Sequence, residues 1–157
     1  MRLPLSTVTG SLRADIWINC PSPHVWNCVL EFPKWAPTIK AGELISGGWD
    51  KEGGVVLITK EDGLGVDPFF STNLKMRPHS QMVYKIDTKD GDQQHGFVDI
   101  TLLEAGDKTR VIYSNYMNFQ FPMELTLEDL QGNQAVERIR DEYYLKPLKE
   151  YSEKTWK

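Results

Sequence analysis

Residues 11–41, SLRADIWINCPSPHVWNCVLEFPKWAPTIKA, predict one strand that leads directly into a short helix. From Leu12 to Asn19, apolar and polar residues alternate, which is typical of a strand with one buried face. Pro21 and Pro23 cannot continue a hydrogen-bonded ladder. The Ser22 hydroxyl can cap a helix that has Pro23 in its first position. We therefore place the end of the strand at Asn19 and the start of a helix directly after it.

Two further proline segments end this helix. Phe32-Pro33 breaks it, and Trp35-Ala36-Pro37 ends one more turn. A proline ring removes a backbone hydrogen bond and clashes with the preceding turn, so a helix rarely continues through it. The segment is therefore predicted to form a strand, a short helix and a broken second helix.

Six further strands are predicted after these helices, because alternating patterns recur between turn-forming residues. Residues Glu61–Pro68, which include two glycines, three acids and a proline, predict a loop at the rim of the sheet. The six strands are predicted at Ala41–Trp49, Val55–Lys60, Phe70–Met76, Met82–Asp87, Phe97–Leu103 and Thr109–Gln120.

The last predicted element is an amphipathic helix from Thr126 to about Ser152. Thr126 and Asp129 resemble a capping box, and Pro147 should kink the last two turns. A helix of about 27 residues is about 40 Å long, enough to cross the concave face of a seven-stranded sheet. The element order therefore predicts an α+β fold in which a curved antiparallel sheet wraps around a long C-terminal helix.

Length and charge limit the class of protein. A chain of 157 residues is predicted to form a single domain, residues 1–157. The formal charge of −4 gives no electrostatic footprint for nucleic acid or an anionic membrane. No apolar segment approaches the roughly 18 residues of a membrane span, and the N-terminus does not read as a secretory signal, so we expect a cytoplasmic protein. Cys20 and Cys28 are not in a CxxC spacing and are predicted to be buried thiols.

The segment ADIWINCPSPHVWNCVLEFPKWAP, residues 14–37, resembles the opening signature of the START/Bet v 1-like (SRPBCC) superfamily, which includes polyketide cyclase/dehydrase proteins. The resemblance extends through the meander to the C-terminal helix and covers nearly the whole chain. It implies a helix-grip fold whose sheet and long helix enclose a hydrophobic cavity for a lipid, hormone, polyketide or alkaloid precursor. Members of that superfamily include carriers, receptors, cyclases, aromatases and co-chaperones, so the resemblance is specific for the fold and not for a reaction.

Polar side chains at inward strand positions are the best candidates for recognition or catalysis. A curved sheet cannot close flat on a cylindrical helix, and polar groups in the remaining gap must pair with each other, with water or with a ligand. We predict catalytic roles for Tyr84, Tyr113 and Asn115. The alternative for the tyrosines is a core position whose hydroxyl reaches water or backbone, whereas asparagine is depleted in strands and harder to explain by packing. Ligand-binding positions are predicted at Trp35, Phe70, Thr72, Leu74, Met82, Met117, Ile139 and Tyr143.

Four further positions stay open. Lys75 and Lys85 fall on the outward face of their strands, but the resemblance implies basic residues inside the pocket on the equivalent strands of polyketide aromatase/cyclases. His95 suits a general base if it reaches the pocket. Trp17, also outward, would indicate a homodimer contact if it is exposed.

The motifs that the chain lacks narrow the chemistry. It contains no HExxH, GxGxxG, GxxxxGK(S/T) or GxSxG motif, so we predict no metal and no cofactor. The first hypothesis is an enzyme of secondary metabolism that cyclises, dehydrates or rearranges a hydrophobic, polyketide-like intermediate. The second is a non-catalytic binding or transfer protein for a lipid or small hydrophobic ligand, and the third is an interaction module of the co-chaperone type. An enzyme needs at least two convergent polar side chains near one reacting atom, whereas a carrier needs one.

Overall fold

The computed structural model describes residues 5–37, 39–60, 69–88, 96–122, 140–141 and 144–157. Within these ranges, a strand and two short helices precede six strands and a C-terminal helix. None of the helices there is long and apolar enough to cross a membrane. The elements are β1 Leu5–Ile18, α1 Ser22–Leu30, a 3₁₀ helix Phe32–Lys34, β2 Ile39–Ser46, β3 Val55–Lys60, β4 Phe69–Arg77, β5 Gln81–Thr88, β6 Gly96–Ala105, β7 Lys108–Pro122 and α2 Leu145–Thr155.

The seven strands form one antiparallel sheet in the order β1-β7-β6-β5-β4-β3-β2. Successive strands from β2 to β7 are neighbours, and β1 pairs with β7 from Leu5 opposite Pro122 to Ile18 opposite Thr109. The structure thus confirms the predicted seven-stranded sheet and the two short helices after its first strand. Strand β1 starts earlier than the predicted Leu12 because β7 is long enough to pair with all of it.

Two hydrophobic clusters cover the concave face of the sheet. The larger one joins β1, β5, β6 and β7 to both helices, and burying each of its large aliphatic side chains contributes about 1.5–3 kcal/mol. Cys20 and Cys28 are buried free thiols in this cluster, as predicted. The smaller cluster packs Val56, Ile58 and Phe69 against the 3₁₀ helix and Trp49.

Strand β4 presents the opposite face to the one predicted. Phe69, Ser71 and Asn73 are buried, whereas Leu74 is 44% exposed. Alternation along the strand therefore turns the predicted ligand-binding residues toward the convex face. The predicted inward orientation is wrong for Phe70, Thr72 and Leu74, and their ligand-binding role stays a prediction.

A β-bulge explains this error. The register of β4 against β5 shifts between Asn73 and Lys75, and beyond the shift Met76 packs against the larger cluster. One extra residue exchanges the two faces of a strand, so Met76 is inward although Leu74 is not. The apparent alternation from Phe70 to Met76 spans this bulge, which the sequence pattern does not reveal.

Helix α2 begins after a break at Tyr144, whose φ of −141° and ψ of −68° are not helical. The predicted continuous helix from Thr126 to about Ser152 is therefore wrong at this residue, and its residues 126–139 and 142–143 lie outside the described ranges. Pro147 lies in the first turn of α2, where a backbone N–H has no partner within the helix. The proline is therefore accommodated by the helix start and does not form the predicted kink.

Helix α2 also covers the outer edge of β1. Lys149 Nζ donates to the carbonyl oxygen of Trp17 at 3.0 Å, and the N–H of Asn19 donates to Glu153 Oε1 at 3.0 Å. Lys149 and Glu153 pair with each other at 2.6 Å. An edge strand with unpaired backbone groups is a site of unwanted pairing, and this ion pair satisfies one donor and one acceptor there.

The N-terminus of α1 is capped from another strand. The sequence predicted that the Ser22 hydroxyl caps this helix. In the structure, Ser22 does not cap the helix with its own hydroxyl. Its N–H and its hydroxyl both donate to Glu104 Oε1 in β6, at 2.9 and 3.1 Å. A carboxylate at this position accepts from an otherwise unpaired N–H and complements the positive end of the helix dipole.

We expect Glu104→Ala to lower the free energy of unfolding by about 1 kcal/mol, because it removes this cap. Urea unfolding followed by circular dichroism measures the change. Glu150→Ala, at an exposed position in α2, is the control and should change stability by less than about 0.5 kcal/mol. Equal stability of the two variants would contradict a capping role for Glu104.

Candidate functional site

Strands β5, β6 and β7 bring Tyr84, Tyr113 and Asn115 together on the concave face. Tyr84 lies opposite Val98 of β6, and Val98 lies opposite Asn115 of β7. Tyr113 lies two residues before Asn115 and therefore shares its face. The three predicted catalytic side chains thus surround Val98, which is 1% exposed.

The Tyr113 oxygen is the centre of this group. Burial raises the pKa of Tyr113 to about 12, although side-chain hydrogen bonds with Asn115 and Tyr84 act in the opposite direction. Burial also raises the pKa of Tyr84 well above its usual value, and the hydrogen bond with Tyr113 adds to this rise. The polar ends of the three side chains therefore interact with one another.

An aromatic wall beside these groups includes Tyr144, which the sequence analysis missed. The Tyr144 ring lies 4.7 Å from that of Tyr113 and 5.0 Å, edge to face, from that of Trp35, measured between centroids. Trp35 Nε1 donates to the carbonyl oxygen of Cys28 at 2.6 Å, which fixes the indole. Burial raises the pKa of the Tyr144 hydroxyl well above its usual value. The predicted continuous helix placed Tyr143 on the inner side, whereas the break at Tyr144 makes that residue part of the wall.

Of the remaining predicted site residues, one is buried in the larger cluster, and the side chains of the others lie outside the description. Met82 is buried in the larger cluster opposite Ile100, so its contact with a ligand stays a prediction. Met117 pairs through its backbone with Gly10 and Gly96, but its side chain lies outside the description. Three further predicted residues lie outside the described ranges, namely Ile139, Tyr143 and His95.

The two open lysines lie on the convex face. Lys85 is opposite Phe97, which is 44% exposed, and pairs with Asp87 at 3.2 Å. Lys75 is opposite Val83, on the same side as Lys85 by alternation. The outward orientation read from the sequence is therefore confirmed, and neither lysine belongs to the group around Tyr113.

Asn73 is a second inward asparagine, but it has a structural role. Its Nδ2 donates to the carbonyl oxygens of Trp49 and Lys51 at 2.9 and 3.1 Å. Its backbone also bonds to Gly53 and Gly54 at 2.8 and 2.9 Å. Asn73 thus holds the turn between β2 and β3. By contrast, Asn115 Oδ1 is buried and has no hydrogen-bond partner within the described part of the chain.

A cysteine and a histidine meet between α1 and α2, but they do not form an activated pair. His24 Nε2 lies 2.9 Å from the carbonyl oxygen of Ser152 and 3.5 Å from Cys28 Sγ. A carbonyl only accepts, so Nε2 carries a proton and cannot take one from the thiol. Burial raises the pKa of Cys28, which opposes formation of a thiolate. Among the residues that the structure describes, no three His, Cys, Asp or Glu side chains converge as a metal site.

Comparison with known proteins identifies the architecture. No family model matches the sequence, and no curated protein matches it. Among solved structures, Ara h 8.0201 is 15% identical with a TM-score of 0.67, over 94% of this chain and 100% of that one. The Zhui aromatase/cyclase from a Streptomyces species is 13% identical with a TM-score of 0.69, over 94% of this chain and 95% of that one. An uncharacterised protein from Rhizobium leguminosarum is 11% identical with a TM-score of 0.66, over 96% and 99%.

The chain has the Bet v 1-like helix-grip fold. Coverage of nearly the whole chain in all three comparisons shows that the shared architecture includes both the sheet and the C-terminal helix. Sequence identities of 11–15% are evidence for a shared fold alone and give no evidence for a shared activity. The fold that the resemblance of residues 14–37 implied is therefore confirmed.

We expect alkaline pH to destabilise the protein through Tyr113. A free tyrosine titrates near pH 10, whereas folded Tyr113 titrates at about 12. Its neutral form therefore contributes stability that is complete below about pH 10 and is lost as the pH rises through about 12. Urea unfolding across this window should show a steeper loss for the wild type than for Tyr113→Phe. Parallel curves would contradict the raised pKa, and Tyr116→Phe, a change at an exposed residue of the same strand, is the control.

The two inward asparagines should respond differently to truncation. Asn73→Ala removes two hydrogen bonds to backbone carbonyls, so we expect the free energy of unfolding to fall by about 2 kcal/mol. Asn115→Ala loses one bond to Tyr113 but also removes an unpaired buried oxygen, so the expected loss is below about 1 kcal/mol. Urea unfolding measures both. Loss of cooperative unfolding in Asn115→Ala would make this residue part of the structural network.

Proposed function

We propose that this protein is a cofactor-independent enzyme that binds a hydrophobic, polyketide-like intermediate against the concave face and promotes its cyclisation, dehydration or rearrangement. The observation that carries the proposal is the convergence of Tyr84, Tyr113 and Asn115 on one face of neighbouring strands, where the two tyrosines influence each other's pKa. An enzyme of this kind needs more than one polar group near the reacting atom, and this group meets that requirement. The fold shared with the Zhui aromatase/cyclase supports the reaction class by analogy.

Tyr113 is the proposed donor to the reacting oxygen. When a carbonyl compound enolises or is attacked, negative charge develops on its oxygen, and a positioned hydroxyl that donates to it lowers the barrier. Tyr84 and Asn115 flank this hydroxyl on the same face, and a donor positioned in advance stabilises the developing charge without reorganisation. The pKa of about 12 keeps Tyr113 protonated at neutral pH, so it acts as a hydrogen-bond donor there and not as a base.

The aromatic wall supplies orientation. Trp35 and Tyr144 present ring surfaces next to Tyr113, and the Trp35 indole is held by its bond to the Cys28 carbonyl. Holding a flexible chain so that its reacting atoms approach each other can contribute up to about 7–11 kcal/mol in well-oriented intramolecular reactions. Orientation of the substrate by the aromatic wall and donation by the Tyr113 hydroxyl are together the proposed source of catalysis.

A non-catalytic carrier of a lipid or small hydrophobic ligand is the second candidate. It is favoured by the apolar character of the two clusters on the concave face, since a carrier needs only one polar anchor. The small ligand is the proposed partner in both cases. We also propose a cytoplasmic location and a contact with a second copy of the chain at Trp17, which is 47% exposed on the convex side of β1.

A native mass spectrum of gently purified protein, followed by extraction and identification of the bound molecule, separates the two candidates. We expect a cyclic product whose linear precursor disappears when it is added back. Tyr113→Phe should lower the rate of that conversion by roughly 100-fold and leave KM nearly unchanged, because the lost bond forms mainly in the transition state. Tyr116→Phe is the matched control with full activity. A ligand recovered unchanged after incubation would contradict the enzyme and favour the carrier.

A further inference from the structure

The strongest unexplained feature of the molecule is the buried carbonyl oxygen of Asn115. It has no donor within the ranges that the structure describes, although the rest of the same amide bonds to Tyr113. A buried acceptor without a donor is unfavourable and rare in folded proteins, so this oxygen is a candidate acceptor for a donor on a bound ligand. Asn73, whose side-chain amide bonds to two carbonyl oxygens, shows that the sheet can satisfy an inward asparagine where its role is structural.

Tyr113 adds a donor next to this acceptor. Burial raises the pKa of Tyr113 to about 12, so its hydroxyl is protonated at neutral pH and can donate. One acceptor and one donor therefore lie two residues apart on the same face of β7. A ligand that meets both must itself present a donor beside an acceptor.

The described strand partners of this pair carry no formal charge. The cross-strand neighbours of Asn115 and Tyr113 on β6 are Val98 and Ile100, and the aromatic wall adds Tyr144. The nearby lysines and Asp87 belong to the convex face. A charged ligand group would lose its hydration here without gaining an opposite charge.

We propose that the concave site selects an uncharged ligand that donates a hydroxyl or enol O–H to Oδ1 of Asn115 and accepts from the hydroxyl of Tyr113. This inference rests on the proposed function, because it describes the ligand of the same site. It adds a criterion that apolar burial does not provide. Ligands of equal size and hydrophobicity should differ in affinity according to whether they carry a donor.

Matched naphthalene probes test this selectivity by isothermal titration calorimetry at neutral pH. β-Naphthol carries an O–H donor, its methyl ether carries none, methyl β-naphthyl ketone carries only an acceptor, and β-naphthoate carries a negative charge. We expect β-naphthol to bind roughly 10-fold or more tightly than each of the other three, because only it satisfies the buried acceptor. In Asn115→Leu the affinity for β-naphthol should fall to that for the methyl ether. Tyr116→Phe should retain the full difference.

Each other outcome has a defined meaning. Equal binding of β-naphthol and its methyl ether overturns the selectivity but leaves the proposed hydrophobic site in place. Tighter binding of the ketone overturns it as well, because the amide then presents its NH₂ group to the ligand. Failure of all four probes to bind overturns the proposed function together with this inference. The wild-type comparison decides the matter even if Asn115→Leu does not fold.

Discussion

The pairing of β1 with β7 is the constraint on which the rest of the structure depends. All 14 residues of β1 are paired, so the register of β7 is fixed along most of its length. Ala14 opposite Tyr113 and Val98 opposite Asn115 place both polar residues on the concave face. A slip of one residue would turn them to the convex face, because strand side chains alternate. The long ladder therefore determines where chemistry can occur.

The two ends of the chain close one side of this face together. Helix α1 and helix α2 contact through His24 and the Ser152 carbonyl, and the Tyr151 hydroxyl donates to Glu31 at 2.6 Å. The aromatic contacts from Trp35 through Tyr144 to Tyr113 extend this junction to the candidate site. A change in the packing of the C-terminal helix would thus reach Tyr113 through direct contacts, which couples the stability of the junction to the geometry of the site.

Polar groups on the concave face have two different roles. The side-chain amide of Asn73 bonds to a turn and stabilises it, whereas the amide oxygen of Asn115 is left without a donor. Unsatisfied groups of this kind lower stability and are retained where function requires them. Tyr113, whose pKa of about 12 keeps it protonated at neutral pH, retains an O–H that can donate to a ligand. The proposed activity therefore rests on groups that the fold itself leaves incompletely paired.

The sequence alone determined the order of elements along the chain, the seven strands and the inward positions of Tyr84 and Tyr113, because alternation and proline positions are local properties. It could not show the bulge after Asn73, because a bulge depends on the partner strand. The orientation predicted for Phe70, Thr72 and Leu74 was therefore the reverse of the observed one. The break before Leu145 and the contacts of Tyr144 were likewise decided only by tertiary structure. Register and packing join residues far apart in the chain, and no local pattern records which of them meet.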